Sequence, residues 1–288
     1  MSENVFAEII AGLKDGSVVP YLGAGALKGS VHKENGSPIP ADSDSLILAM
    51  NNGQPMAPKL MYEFPRAAMN QELKKGRTFL TRFLNETYGG EQWTRAPLHD
   101  WLAEIRPAYV VDINRDTQLQ ATYADTPHNL IVGVARIAGT DYRFRIYHWD
   151  GTAYNEIEQE AADPALPVLF KPMGTPNPEA NFIASDADYV DYITELMGGF
   201  AIPSWVKKMR IDKRYLFIGT RMTRDTERMV LSDIIYGSDI KRGWALLPDA
   251  TEKEKRFCAK MGIEVIDADV AELIGEERFE SEAAAVGC

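Results

Sequence analysis

Val18-Val19-Pro20-Tyr21-Leu22-Gly23-Ala24-Gly25-Ala26 decides the reading of the fold. An apolar, strand-like run feeds directly into a Gly-x-Gly turn. Such a turn lets the main chain approach an anionic group and leaves backbone N–H groups to bind it. It is where an α/β protein holds a phosphate or pyrophosphate. Because any tight strand-to-helix turn also favours glycine, the weight of the motif rests on the residues at the ends of the other strands.

Working outward, residues 5–14 carry Val5, Phe6, Ile9, Ile10 and Leu13 at helical spacing, ahead of a strand at 17–22. A long polar, Gly/Pro-rich loop at 27–44 reads as functional rather than merely connecting. Helical patterns come next at 45–51, 58–73, 77–87 and 98–104, then a second apolar strand at 108–113. Ile131–Ile137 and Tyr142–Tyr147 alternate around Gly139-Thr140-Asp141, a hairpin signal. The turn Trp149-Asp150-Gly151-Thr152 adds a third short strand. Pro167–Phe170 reads as a buried strand and 186–198 as a helix. After residue 210 the rhythm is strand, helix, strand, helix, strand, helix, which implies a parallel sheet covered on both faces.

The expectation is therefore an α/β, Rossmann-like parallel sheet with helices on both faces. A smaller helical lobe at about 43–105 and an antiparallel hairpin insert at about 128–160 belong to one domain, 1–276, succeeded by a flexible tail, 277–288.

Composition bounds the function. The 288 residues are 45% hydrophobic, enough for a substantial core, and 31 basic against 42 acidic side chains leave a net charge of −11. That balance argues against a nucleic-acid binder, which needs clustered Lys and Arg. No run approaches the ~18 apolar residues of a membrane-spanning helix, and Met1-Ser2-Glu3-Asn4 lacks the features of a signal peptide. A cytoplasmic location without membrane attachment is expected. Cys258 and Cys288 form no Cys-x-x-Cys pair, so neither a disulfide framework nor a cysteine metal site is expected. Cys258 reads as a small buried hydrophobe, and Cys288 lies in the tail.

Parallel sheets bind ligands outside the carboxyl ends of their strands. Those ends read Gly23-Ala24-Gly25-Ala26, Asn114-Arg115-Asp116-Thr117, Lys171-Pro172-Met173-Gly174-Thr175 and Gly219-Thr220-Arg221-Met222. Four small, polar or charged ends in register suggest one cleft. Arg221 directly succeeds its turn and is placed to reach a phosphate, whereas Arg224, Asp225, Glu227 and Arg228 read as a solvated helix start. Lys171 is equally suited to neutralising a pyrophosphate or pairing with a carboxylate. Ser185 or Asp186 reads as a helix N-cap.

The order and wording of these ends resemble the sirtuin family. Gly23-Ala24-Gly25-Ala26 looks like its Gly-Ala-Gly loop, and Asn114-Arg115-Asp116 resembles its Asn-x-Asp segment. Lys171-Pro172-Met173-Gly174 is similar to its Lys-Leu-His-Gly segment, and Leu216–Thr220 to its ribose-contacting turn. Gly243–Leu247 and Ile266-Asp267-Ala268-Asp269 resemble the late strand ends near the adenosine.

The resemblance implies NAD as ligand. Gly23, Ala24, Gly25, Ala26, Lys171, Gly174, Gly219, Thr220, Arg221 and Asp267 would bind it, Asn114 with Asp116 would orient the ribose and an attacking water, and no metal would take part. A homo-oligomer is expected. The family's catalytic histidine falls on Met173, and a thioether is no general base. The cysteine zinc ribbon of the deacylases is absent. Two readings are open: cleavage of the nicotinamide N-glycosidic bond, or a catalytically silent nucleotide-binding scaffold whose assembly responds to the ligand. All four histidines, His32, His99, His128 and His148, read as surface or capping residues; His148, at an aromatic-flanked hairpin tip, is the best outsider as a substitute base.

Overall fold

Residues alternate strictly between two apolar layers along the central strands of the computed structural model. Val19 and Tyr21 enter one core and Val18 and Leu22 the other. Tyr215 and Phe217 likewise oppose Leu216 and Ile218. A strand buried on both faces is what a near-continuous apolar run encodes. The structure describes residues 2–137, 142–239 and 241–279.

The chain opens with α1 (Ser2–Asp15), β1 (Val18–Leu22) and a 3-10 turn (Ala24–Leu27). A helical lobe comes next: α2 (Ser43–Met50), α3 (Phe64–Lys75) and α4 (Arg77–Tyr88). Then come α5 (Pro97–Ile105), β2 (Tyr109–Asp112), α6 (Gln118–Thr122), β3 (His128–Gly133), β4 (Phe144–Trp149) and β5 (Tyr154–Ile157). The second half runs β6 (Val168–Lys171), β7 (Gly174–Thr175), β8 (Asn181–Phe182), α7 (Asp186–Gly198), α8 (Ser204–Met209) and β9 (Arg214–Ile218). It closes with α9 (Asp225–Ile234), β10 (Gly243–Leu246), α10 (Glu252–Met261), β11 (Ile263–Ile266) and α11 (Val270–Ile274).

Nine strands form one sheet in the order β11-β10-β9-β1-β2-β6-β3-β4-β5. From β11 to β3 every neighbouring pair is parallel; β4 and β5 are antiparallel. The α/β, Rossmann-like expectation holds. The hairpin is present, but it extends the main sheet, because β3 pairs parallel with β6. Its proposed turn, 139–141, lies outside the described residues.

The helix expected at 58–73 starts only at Phe64, where Pro65 supplies a first-turn residue with no N–H to satisfy. The short α6 and α8 carry too few turns to show periodicity. Ser185 caps α7, and the Asp188 carboxylate accepts the Ser185 N–H at 2.9 Å. Cys258 is buried, as expected. Within the segment expected as a tail, Arg278 grips Glu104 through two 2.8 Å contacts, and Phe279 packs on the α1/α5 side of the sheet. The remainder of that segment is outside the described residues.

The helical lobe has its own core, in which Leu46, Ile47, Phe64, Leu80 and Leu84 meet Phe182 and Leu27. It therefore stands over the carboxyl ends of β1 and β6. The chain leaves β1 toward β2 on one side, and leaves β9 toward β10 on the other. The crevice between β1 and β9 is thus the point where the strand order reverses, where open α/β sheets hold ligands.

Candidate functional site

Two backbone turns meet in that crevice. Gly23 N donates to Ile218 O and Gly25 N to Gly219 O, each at 2.9 Å. A Cβ on Gly25 would sit 2.7 Å from Gly219 Cα, and one on Gly219 would sit 2.4 Å from Gly25 Cα. Gly219 also has φ +65°, a left-handed conformation. The glycines are needed because one turn rests on the other.

This corrects the reading of the Gly-x-Gly motif. The Gly23, Gly25 and Ala26 N–H groups are all spent on carbonyls. The Ala24 N–H has no acceptor among the described residues. The Thr220 hydroxyl, in a side chain only 4% exposed, is also unpartnered.

Two cavities join at this neck, one of about 270 Å³ and one of about 510 Å³. Ala24, Asp42, Gly219, Thr220 and Arg221 line both. The larger runs past Lys28 and Asp269 between apolar walls that include Ile39, Leu247 and Val270. The smaller lies beneath the helical lobe, among Tyr21, Asn114, Met173, Tyr189, Glu63 and Glu227.

Asn114 is held from both sides. Its Nδ2 donates to Gly23 O at 2.8 Å and to Asp112 Oδ1 at 2.9 Å. Both acceptors lack a proton to offer, which fixes the amide orientation and leaves Oδ1 as the free acceptor. Asp112 is fixed in turn by the Asn114 N–H at 2.9 Å and by Lys171 Nζ at 2.6 Å. Burial raises the Asp112 carboxyl above its ordinary range, and the Lys171 ammonium opposes that rise.

Of the residues singled out in the sequence, Ala24, Gly25, Asn114, Gly219, Thr220 and Arg221 line the cavities. Gly23, Ala26, Asp116, Lys171, Gly174 and Asp267 do not. Lys171 is wholly buried against Asp112, which settles its alternatives in favour of the carboxylate. Asp116 Oδ1 accepts the Gln118 N–H at 2.7 Å at the start of α6. Gly174, at φ +88°, has the Asn181 carbonyl where its Cβ would stand. Asp267 Oδ1 accepts the Asp249 N–H at 3.1 Å. Arg221 is anchored on Glu254 Oε2 at 2.7 Å and on Pro248 O at 3.0 Å, with its side chain half exposed.

None of the four histidines lines either cavity. His148 sits within β4, opposite Asn129 and Asn155, and not at a hairpin tip. His99 is fully buried, and desolvation holds its imidazole down to about 4. His128 bonds Thr126 O and the Tyr154 hydroxyl, each at 2.7 Å.

The residues missed by sequence reading are two carboxylates. Glu63 precedes α3 and is 8% exposed. Glu227 reads in the sequence as part of a solvated charge run. The first turn of α9 instead folds it over the smaller cavity, while its neighbour Asp225 stays exposed. Thr226 Oγ1 donates to Glu63 Oε2 at 3.2 Å, and Glu227 Oε2 is buried without a partner. Burial pushes the Glu227 carboxyl up to about 7; Arg224 opposes the rise and Glu63 adds to it.

Comparison with known families supplies the assignment. A family model described as a SIR2-like domain matches residues 114–266, more than half of the chain. The chain belongs to the SIR2-like family. The matched stretch begins at Asn114 itself and runs to the last residue of β11, so it includes β3, β6, β9, β10 and β11 of the parallel sheet, while β1, β2 and the Gly23–Ala26 turn lie outside it. No curated protein sequence matches the chain. Among the described residues of the SIR2-like chain, no cluster of three or more His, Cys, Asp or Glu is placed to hold a metal ion. No helix among them is long and apolar enough to cross a membrane.

Proposed function

We propose that the cleft binds NAD+ or an ADP-ribose-type dinucleotide, and that its reaction is hydrolysis of the nicotinamide N-glycosidic bond. The observation that carries this reading is the neck: an unpartnered Thr220 hydroxyl and an unpartnered Ala24 N–H between two chambers, at the reversal of strand order. A buried donor without an acceptor costs free energy; a pyrophosphate bridging the chambers would relieve that cost at the Thr220 hydroxyl and also accept the Ala24 N–H. The chambers together fall in the range of roughly 300–1,000 Å³ usual for small-ligand sites.

In this reading the adenosine half occupies the larger chamber, against Leu247 and Val270, where Arg221 adds positive charge beside the phosphates. The nicotinamide ribose occupies the smaller one. There the Asn114 carbonyl oxygen, held by Gly23 O and Asp112, accepts a hydrogen bond from a ribose hydroxyl or from water. Asp112 and Lys171 position that amide from below. Asp116, proposed from the sequence as the partner of Asn114, accepts the Gln118 N–H with Oδ1 and keeps Oδ2 buried without a partner.

One observation favours a second reading, a silent nucleotide-binding scaffold: Met173, 3% exposed, lines the smaller chamber where the family resemblance places a histidine. A nicotinamide-release assay separates the two. Hydrolysis predicts release that Asn114→Ala abolishes. The scaffold predicts ADP-ribose binding with no release above background, from wild type and variant alike.

A further inference from the structure

The smaller chamber contains a group suited to the chemistry that Met173 does not supply. We propose that the Glu227 carboxylate is the proton acceptor of this cleft, in the chamber it shares with Asn114, Met173 and the neck at Thr220. The inference rests on the reading of the cleft as an NAD-type site.

Three features of the geometry carry it. Glu227 lines the same chamber as Asn114, and its Oε2 is buried with no hydrogen-bond partner, so a carboxylate lone pair is left for a ligand or water. Thr226 ties the neighbouring Glu63 in place, which sets a second carboxylate beside the first. The charged and titratable groups around Glu227 are Arg224 on its own helix, Glu63 before α3, Glu254 on α10, Tyr21 on β1 and Tyr189 on α7. The Arg224 guanidinium also lies 4.4 Å from the centroid of the Tyr62 ring. Arg115 and Arg221 line the same chamber, and Arg221 is paired with Glu254. Burial of the carboxyl, with smaller contributions from Glu63 and Glu254 and against Arg224, brings its proton affinity toward neutrality, where a general base is most effective.

The bond from ribose C1′ to the nicotinamide nitrogen breaks, and its electron pair goes to that nitrogen, cancelling the ring's positive charge. The oxygen of water forms the new bond to C1′. Glu227 takes the proton that the water loses and returns it to solvent. Glu63 acts as a positioning residue: its charge raises the proton affinity of Glu227 without touching the reacting atoms.

The test uses the full chain. ADP-ribose affinity is measured by calorimetry, nicotinamide release is tracked against pH, and the Glu227 carboxyl is titrated by carbon NMR in the free protein. We expect the free carboxyl to titrate near pH 7, with the acid limb of kcat moving in step with it. Glu227→Gln should lower kcat by about 100-fold or more while leaving ADP-ribose affinity within about twofold. Glu63→Gln should shift both the limb and the NMR midpoint to lower pH, an effect a merely structural role would not produce. The proposal is overturned if Glu227→Gln keeps the wild-type kcat and pH profile, if the free carboxyl titrates in the ordinary carboxylate range, or if wild type binds ADP-ribose and releases no nicotinamide. Absence of ADP-ribose binding to wild type would instead remove the reading of the cleft, and this inference with it.

Discussion

Lys171 Nζ lies 2.6 Å from Asp112 Oδ2, with both side chains fully buried between β6 and β2. The other oxygen of Asp112 accepts both the backbone and the side-chain N–H of Asn114. A buried ion pair is therefore the footing of the residue that faces the cleft.

Lys171→Met removes one half of that pair and leaves a buried carboxylate uncompensated. Breaking a buried pair this way costs about 3–5 kcal/mol. Urea denaturation at pH 7 should show a loss of that order, and Asp112→Asn added to Lys171→Met should restore part of it. Additive losses in the double variant would mean that the two groups do not depend on each other.

Sequence reading reaches the strand ends and not this pair. Val18–Leu22 and Tyr109–Asp112 are legible because burial on both faces leaves an apolar run in the sequence. Lys171 meets Asp112 only because β2 and β6 are sheet neighbours, a relationship created by topology. The same holds for Glu63, just ahead of α3, and Glu227, in the first turn of α9, which look like surface charges until the fold brings them to one chamber. Gly23 and Gly25 are legible as a close approach, but an isolated strand end points to a ligand as the partner. The partner is the Gly219 turn.

Gly25→Ala tests that contact. The new Cβ would press on the Gly219 backbone at 2.7 Å, which cannot yield as a flexible side chain would. Overpacking of this kind costs about 1–3 kcal/mol, and prising the two turns apart should also weaken ADP-ribose binding. A variant with wild-type stability and affinity would show that the neck is plastic.

Thr220→Val keeps the shape of the side chain and removes the orphan hydroxyl. Because that hydroxyl has no partner in the fold, stability should hold or rise. Affinity for ADP-ribose should fall by about tenfold, the value of one lost hydrogen bond of about 1.4 kcal/mol. Loss of stability with unchanged affinity would place the hydroxyl's role in the fold instead.

Two buried groups give opposing pH dependences. The His99 imidazole, held down to about 4, is neutral in the fold, while in the unfolded chain it protonates near about 6.5. Its contribution is present above pH ~6.5 and lost as pH falls through about 4, up to about 3 kcal/mol. Glu227 acts in the other sense: its carboxyl rises from 4.5 to about 7, so its contribution is full below pH ~4.5 and is lost as pH rises from there to about 7. The two windows overlap between pH ~4.5 and ~6.5, so in the wild type the two contributions nearly cancel and denaturation should show little net pH dependence from these groups. Glu227→Gln should uncover the His99 dependence as a rise in stability from pH ~4 to ~6.5, and the His99 ring resonances should stay neutral down to about pH 4. A His99 titration near pH 6.5 would contradict the burial argument.

The most direct measurement is a calorimetric titration of the wild-type chain with ADP-ribose, which needs no assumed reaction. Saturable binding at one site per chain is expected, weakened in Thr220→Val and in Gly25→Ala. No heat at millimolar ligand, together with no shift in melting temperature, would contradict the claim that the β1–β9 crevice is a dinucleotide site.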